Sequence, residues 1–240
     1  MANQHVLVFG ATGPAGICLL RELLYRQHPT IAYVRNPSKI PEDLVPDPLL
    51  TVVKGEITNV EKLSDVVSQS SVIVSLLGPN KILGLDPAMY TGFYERLFPI
   101  MKQQNVKRIF AMSTISVFRP EDHFSLIRLL LVSLVFIVVN RGWQTARGIA
   151  RSFEEYGDGI DWTVYRVAGI PGGSDEKSWK EDREDGEAYE GPIGANGWKS
   201  VQRRGALARW LVDAVEDGKS QWIGKLPAVS RLAGSKRKAD

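Results

Sequence analysis

The sequence predicts a doubly wound α/β domain: a parallel sheet with helices on both faces. Short β-branched runs alternate with longer helical stretches, the pattern of strand–helix–strand units. A glycine-rich turn follows the first run directly and opens the first helix. The chain has 240 residues, 44% hydrophobic and 24% charged, which suits one globular domain and excludes disordered, collagen-like and disulfide-rich classes.

Strands are predicted over His5–Gly10, Thr30–Val34, Leu50–Lys54, Val72–Leu76, Arg108–Met112 and Asp161–Arg166. Each is a short apolar or β-branched run between turn residues. Helices are predicted over Pro14–Gln27, Val60–Ser68, Pro87–Gln104, part of Leu126–Tyr156, and Gly205–Glu216. Pro14 suits a first helical position, where its missing N–H loses nothing. The four prolines of Pro37–Pro48 predict an irregular crossing at the sheet edge. A single domain is expected over 1–228. An insertion near 169–205 is expected to close the crevice as a lid, and 229–240 to form a basic, flexible tail. The acidic run Glu181–Asp185 reads as a solvated face.

Cys18 stands alone, so no disulfide and no cysteine metal cluster is expected, in keeping with a reducing, cytoplasmic compartment. His5, His28 and His123 lack ligand spacing. His5 to Gly10 reads as a strand, so no secretory leader is expected. The net charge of +3 is modest, and the cluster Lys236-Arg237-Lys238 resembles no nucleic-acid module. Leu129–Val139 (LLLVSLVFIVV), flanked by Arg128 and Arg141, is too short to span a bilayer: as a helix it reaches about 17 Å of a roughly 30 Å core. It reads as a buried helix or a wall of the substrate pocket, with a dimer helix or a membrane contact as alternatives. No transmembrane span is expected, and the chain is read as a monomer or homodimer.

The chemistry is carried first by Gly10-Ala11-Thr12-Gly13-Pro14-Ala15-Gly16. Gly10 permits the tight turn, Gly13 lets a pyrophosphate approach the backbone, and Gly16 lets helix and strand lie close. The phosphates then meet a helix N-terminus, whose N–H groups and dipole favour anions. With Thr12, Pro14 and Ala15 this turn is the predicted floor of a dinucleotide site, the mark of a Rossmann fold. The second strand selects the cofactor. Arg35, 19 positions beyond Gly16, stands where an NAD protein usually carries a carboxylate. A guanidinium pairs with a 2′-phosphate, so NADP(H) is predicted. Glu56 is expected beside the adenine, Leu77 and Gly78 beside the middle of the cofactor, and Ser113 and Thr114 near the nicotinamide ribose or the substrate.

Taken together, GATGPAG (10–16), YVRNPSK (33–39), VVKGEITN (52–59), VKRIFAMSTISV (106–117), DWTVYRVAGI (161–170) and ALARWLVDAVED (206–217) give the resemblance. The chain resembles the atypical short-chain dehydrogenase/reductases, in the NmrA-like and biliverdin-reductase-B-like branch. That resemblance implies a monomeric or dimeric NADP(H) protein. Some members reduce flavins, quinones or tetrapyrroles, others sense the cofactor, and related fungal proteins tailor aromatic polyketides in secondary metabolism. One departure matters. The main family pairs a Tyr with a Lys four residues on, and none of the seven tyrosines here has that Lys. The corresponding helix offers Asn140, Arg141, Trp143, Gln144 and Thr145 instead.

A ketone needs a proton donor, because its alkoxide product is strongly basic; a quinone, flavin or enone needs less help. Without the Tyr–Lys pair, the expected activity is NADPH-dependent reduction of a conjugated or aromatic small molecule. Ser113 and Thr114 are the expected donors to the substrate oxygen, with Arg141 a charge stabiliser and His123 a weaker donor. A non-enzymatic NADP(H) sensor and a cofactor-sparing isomerase are the alternatives.

Overall fold

The computed structural model describes residues 5–78 and 87–236. The described strands form one eight-stranded sheet in the order β3-β2-β1-β4-β5-β6-β8-β7. In chain order these are β1 (His5–Phe9), β2 (Thr30–Val34), β3 (Leu50–Lys54), β4 (Ser70–Ser75), β5 (Arg108–Thr114), β6 (Asp161–Val167), β7 (Ala188–Gly191) and β8 (Ala228–Arg231). Pairing is parallel except between β7 and β8. The chain leaves β1 for β2 on one side and reaches β4 on the other. The loops after β1 and β4 therefore part, and this is where an open α/β sheet holds its ligand.

Among the described residues there are seven α-helices: α1 (Pro14–Tyr25), α2 (Val60–Ser68), α3 (Pro87–Gln103), α4 (Leu126–Val138), α5 (Asn140–Tyr156), α6 (Glu176–Arg183) and α7 (Arg204–Asp217). Successive strand side chains point to opposite faces, and β1 shows the consequence. Val6 and Val8 pack into the core under α1 and α7, whereas Leu7 and Phe9 join the core under α2, α3 and α5. Burial on both faces explains why the central strands read as continuous apolar runs.

Four expectations are corrected. The predicted tail loses its first residues to β8, whose Val229 and Ser230 are buried in the sheet; Arg237 and Lys238 lie outside the described residues. The 169–205 segment is docked on α1 more than it is a lid. Cys18 Sγ donates to the Gly173 carbonyl (3.4 Å), Arg21 Nε to that of Ser174 (3.0 Å), and Arg183 pairs with the buried Glu22 (2.9 Å). Its acidic run is not simply a solvated face either. Asp182 is buried and pairs with Arg203 at 2.8 Å, while Asp185 pairs with Arg231 at 3.3 Å.

The fourth correction concerns α4, which is neither buried nor a pocket wall. Ser125 caps it by accepting from the Arg128 amide, and only Arg128 and Val132 of its residues are buried. After Val139 the chain turns through 114° into α5. No single helix among the described residues is long and apolar enough to cross a membrane.

Cys18 sits on the buried face of α1. Burial pushes its thiol up to about 12, outweighing the lowering effect of Arg204. A protonated, enclosed thiol is a poor nucleophile. Ellman's reagent is therefore expected to leave the native chain unlabelled and to titrate one thiol on unfolding; rapid native labelling would contradict this packing.

Candidate functional site

The crevice starts at the turn after β1. Gly10 has φ +78°, and a Cβ there would stand 2.8 Å from the Leu76 carbonyl, so handedness and space both demand glycine. At Gly16 a Cβ would meet the Gly10 carbonyl oxygen at 2.2 Å and Ala11 Cα at 2.7 Å, so α1 is pressed onto the turn. Gly13 differs: its φ is −77°, and a Cβ would touch only the Gly10 oxygen, at 3.4 Å. Gly13 also caps α1 without a side-chain hydrogen bond, and the first turn holds no acid. The amides of Ala15 and Gly16 lie before the first intrahelical bond and have no helical acceptor. The uncapped N-terminus and the open face at Gly13 fit a dinucleotide pyrophosphate.

Two cavities extend from this turn and share Gly10, Gly13, Leu76, Leu77 and Gly78. The smaller, about 100 Å³, lies past the ends of β1, β2 and β3 and is lined by Thr12, Arg35 and Glu56. Arg35 is exposed just after β2. Gly55 admits the Tyr33 ring, whose oxygen would lie 2.1 Å from a Cβ. The Tyr33 hydroxyl donates to the Glu56 carbonyl (2.9 Å), and the Tyr90 hydroxyl to that of Gly78 (3.1 Å). Burial raises both phenols above their ordinary range; the Glu56 charge adds to this at Tyr33, while Arg35 opposes it at Tyr90. Both stay protonated at neutral pH and hold the loops after β3 and β4.

The larger cavity, about 270 Å³, runs past β5 and is lined by Pro14, Ala15, Gly16, Met112, Ser113 and Thr114, together with the start of α5, Ile170 and Arg204. Helix α5 presents Gly142, Thr145, Ala146 and Ile149 at steps of three and four, the spacing of one helix face. That face is small and uncharged. Its one hydroxyl, on Thr145, donates back to the Arg141 carbonyl (2.8 Å).

Of the expected substrate-side residues, Ser113 and Thr114 reach this cavity and Arg141 does not. Arg141 is exposed and lies outside the lining face of α5. Ser113 is buried, and its single hydroxyl proton goes to the Ala146 carbonyl at 2.9 Å; it stands in the wall as an acceptor rather than as the expected donor. Thr114 Oγ1 accepts the Ser116 amide (3.2 Å), which leaves its own proton for a ligand. His123 is exposed and absent from both linings. The sequence reading missed Tyr33, Met112, Arg204 and the lining face of α5. Small residues at helical spacing were a signal for α5. For Arg204 there was none, since its place depends on how α7 docks.

Residues 10–217 match the family described as NAD(P)H-binding. The fold is similar to that of a wide-type short-chain dehydrogenase/reductase from Veillonella parvula solved in complex with NADP (TM-score 0.73, 17% identity, 99% of each chain). It is also similar to the oxidoreductase ylbE of Lactococcus lactis (0.69, 16%, 97% of this chain and 92% of that one). The anaerobillin reductase ChuY of Escherichia coli O157:H7 shares it too (0.67, 13%, 98% and 100%). At these identities the likeness shows the fold alone. Among curated proteins, isoeugenol synthase 1 of Clarkia breweri is 27% identical over 107 residues, 40% of this chain but only 34% of that protein. The glycine turn, the crevice built on it and the match over most of its length agree: the chain belongs to the NAD(P)H-binding family.

Proposed function

We propose that this protein is an NADP(H)-dependent oxidoreductase acting on a conjugated or aromatic small molecule, working in the cytoplasm. The observation that carries the reading is the division of one continuous crevice into two unlike halves. One ends at Arg35, suited to a 2′-phosphate; the other is mostly apolar, with a hydroxyl and a guanidinium at its wall. When bound, the cofactor supplies or accepts the hydride. The amides at the start of α1 hold the pyrophosphate. Thr114 donates to the substrate oxygen, and Arg204 steadies negative charge that develops there. The α5 face offers no side chain to protonate an alkoxide, which favours acceptors whose reduced anion is delocalised. The sequence similarity to isoeugenol synthase 1 over 107 residues adds support for an aromatic substrate.

Calorimetric titration with NADPH and with NADH, on wild type and on Arg35→Ala, tests the cofactor choice. NADPH is expected to bind more tightly, and the substitution to weaken it by about 1–3 kcal/mol, as for other hydrogen bonds to charged groups, with NADH little changed. Equal affinities that ignore Arg35→Ala would refute the assignment. Consumption of NADPH with a panel of quinones, flavins and enones then tests the reaction; silence throughout would turn the reading toward an isomerase or a sensor.

A further inference from the structure

Helix α4 leaves an apolar surface that the crevice does not use. Leu126, Ile127, Leu130, Leu134, Ile137 and Val138 are between 56% and 78% exposed, and Phe124 just before them is 85% exposed. At about 100° per residue these side chains, with Leu129 and Phe136, sweep roughly 200° of the helix circumference.

We propose that α4 is a membrane-contact element that beds into one leaflet of an anionic lipid surface. The extent of exposure separates lipid from a protein partner. A helix packed against another protein needs an apolar stripe of roughly 100°, and a second copy seated on α4 would leave much of this surface in water. Lipid surrounds such a helix. Length agrees: the 13 residues make a helix of about 20 Å, short of the roughly 30 Å hydrocarbon core. The 114° bend then directs α5 away, so the helix beds in the interface without spanning it.

Charge agrees as well. Between Asp122 and Glu154 the chain carries four arginines and no acid. Arg128 is buried against Asp122, and Arg151 pairs with Glu155; Arg141 and Arg147 are exposed on the first turns of α5. Arg147 lies over the Trp143 ring at 4.5 Å, and that ring packs edge-on against Phe136 of α4 at 5.2 Å. A tryptophan and arginines at the rim of an apolar helix are the arrangement of a membrane interface, where the ring sits at headgroup depth and the cations meet acidic lipids. Phe118, Arg119, Trp143, Arg147, Arg151 and Glu154 line a groove beside this rim, within which Arg119 pairs with Glu154.

The test is flotation of the full chain with phosphatidylcholine vesicles, with and without phosphatidylserine. It includes Leu130→Glu/Leu134→Glu/Ile137→Glu, which alters only exposed positions, and its far-UV spectrum and melting temperature check the fold. Wild type is expected to float with the serine lipid and to bind phosphatidylcholine alone about tenfold less; the triple variant is expected to lose binding by at least that factor. The proposal is overturned if wild type stays in solution or the triple variant still floats. It is equally overturned if wild type sediments as a dimer that the substitutions convert to a monomer, which would make α4 a seam between copies. Equal flotation with both lipids would overturn its anionic part.

Discussion

Gly13→Asp is expected to lower NADPH affinity at least a hundredfold while leaving the melting temperature unchanged or slightly raised. Gly13 occupies the N-cap of α1 with an ordinary extended backbone, and only one atom lies near the place of a Cβ. Asp is among the favoured N-cap residues and exceeds Gly by a few tenths of a kcal/mol, helped by the helix dipole. The carboxylate that stabilises the helix would occupy the space proposed for the pyrophosphate and repel it; a hundredfold loss corresponds to about 2.7 kcal/mol. Gly16→Ala is expected to behave in the opposite way. Its methyl would meet backbone atoms of Gly10 and Ala11 at 2.2 and 2.7 Å, and no side-chain rotation relieves that. The strain, of the order of 1–3 kcal/mol as for other overpacked sites, exceeds the helix-propensity gain of at most ~1 kcal/mol at all but its lower end. For a chain of this size each kcal/mol moves the midpoint by about 2–4 °C. Calorimetric binding and thermal melts on the two variants separate the roles. Tight NADPH binding by Gly13→Asp would mean that the phosphates do not lie over this turn.

The contrast between these two glycines also marks how far the sequence can be read. The turn was legible because its requirements are local: a positive φ, a close approach and a proline at the first helical position all show in seven consecutive letters. The strands Thr30–Val34 and Leu50–Lys54 and the helix Val60–Ser68 have the predicted bounds, since buried parallel strands are apolar runs between polar or breaking residues. Strands β7 and β8, four residues each, were not legible. AYEG and AVSR have little pattern of their own and become strands by pairing with each other and with β6. The larger cavity was legible only in part, for a related reason. It is assembled from β5, α5 and α7, and one step along a helix turns a side chain by about 100°, enough to place Gly142 in the wall and Arg141 outside it. A hydroxyl at Ser113 could be read from the sequence, but not that the Ala146 carbonyl takes its proton. The apolar run in α4 states its own hydrophobicity and says nothing of what covers it.

Asp122→Asn is expected to cost about 3–5 kcal/mol, the range for removing one partner from a buried ion pair. Asp122 lies in the segment between β5 and α4, and its carboxylate accepts from Arg166 (2.6 and 2.8 Å), from Arg128 (2.9 Å), and from the amides of Arg119 (3.0 Å) and Ile193 (2.9 Å). The side chains of Asp122, Arg128 and Arg166 are at most 4% exposed. The two guanidiniums also donate to the carbonyls of Ile115, Val117 and Leu226, so one cluster ties the segment after Thr114 to β6, to the 169–205 segment and to the approach to β8. An amide would leave two buried cations facing a single neutral acceptor. Burial works against the charge on Asp122, but hydrogen bonds from Arg166 and the Ile193 amide and the charges of both arginines outweigh it. Its carboxyl is held below the ordinary value of 3.8. A group whose folded pKa is depressed contributes its stability in full above the unfolded value and loses it as pH falls through the folded one. The gap between wild type and Asp122→Asn is therefore expected to be flat from pH 8 to 5 and to narrow once the pH falls below about 4. Because other carboxylates titrate in both proteins, the difference between paired urea melts is the quantity to read. A gap below about 1 kcal/mol at neutral pH, the worth of an exposed pair, or one that widens in acid, would show that the cluster does not hold these segments together.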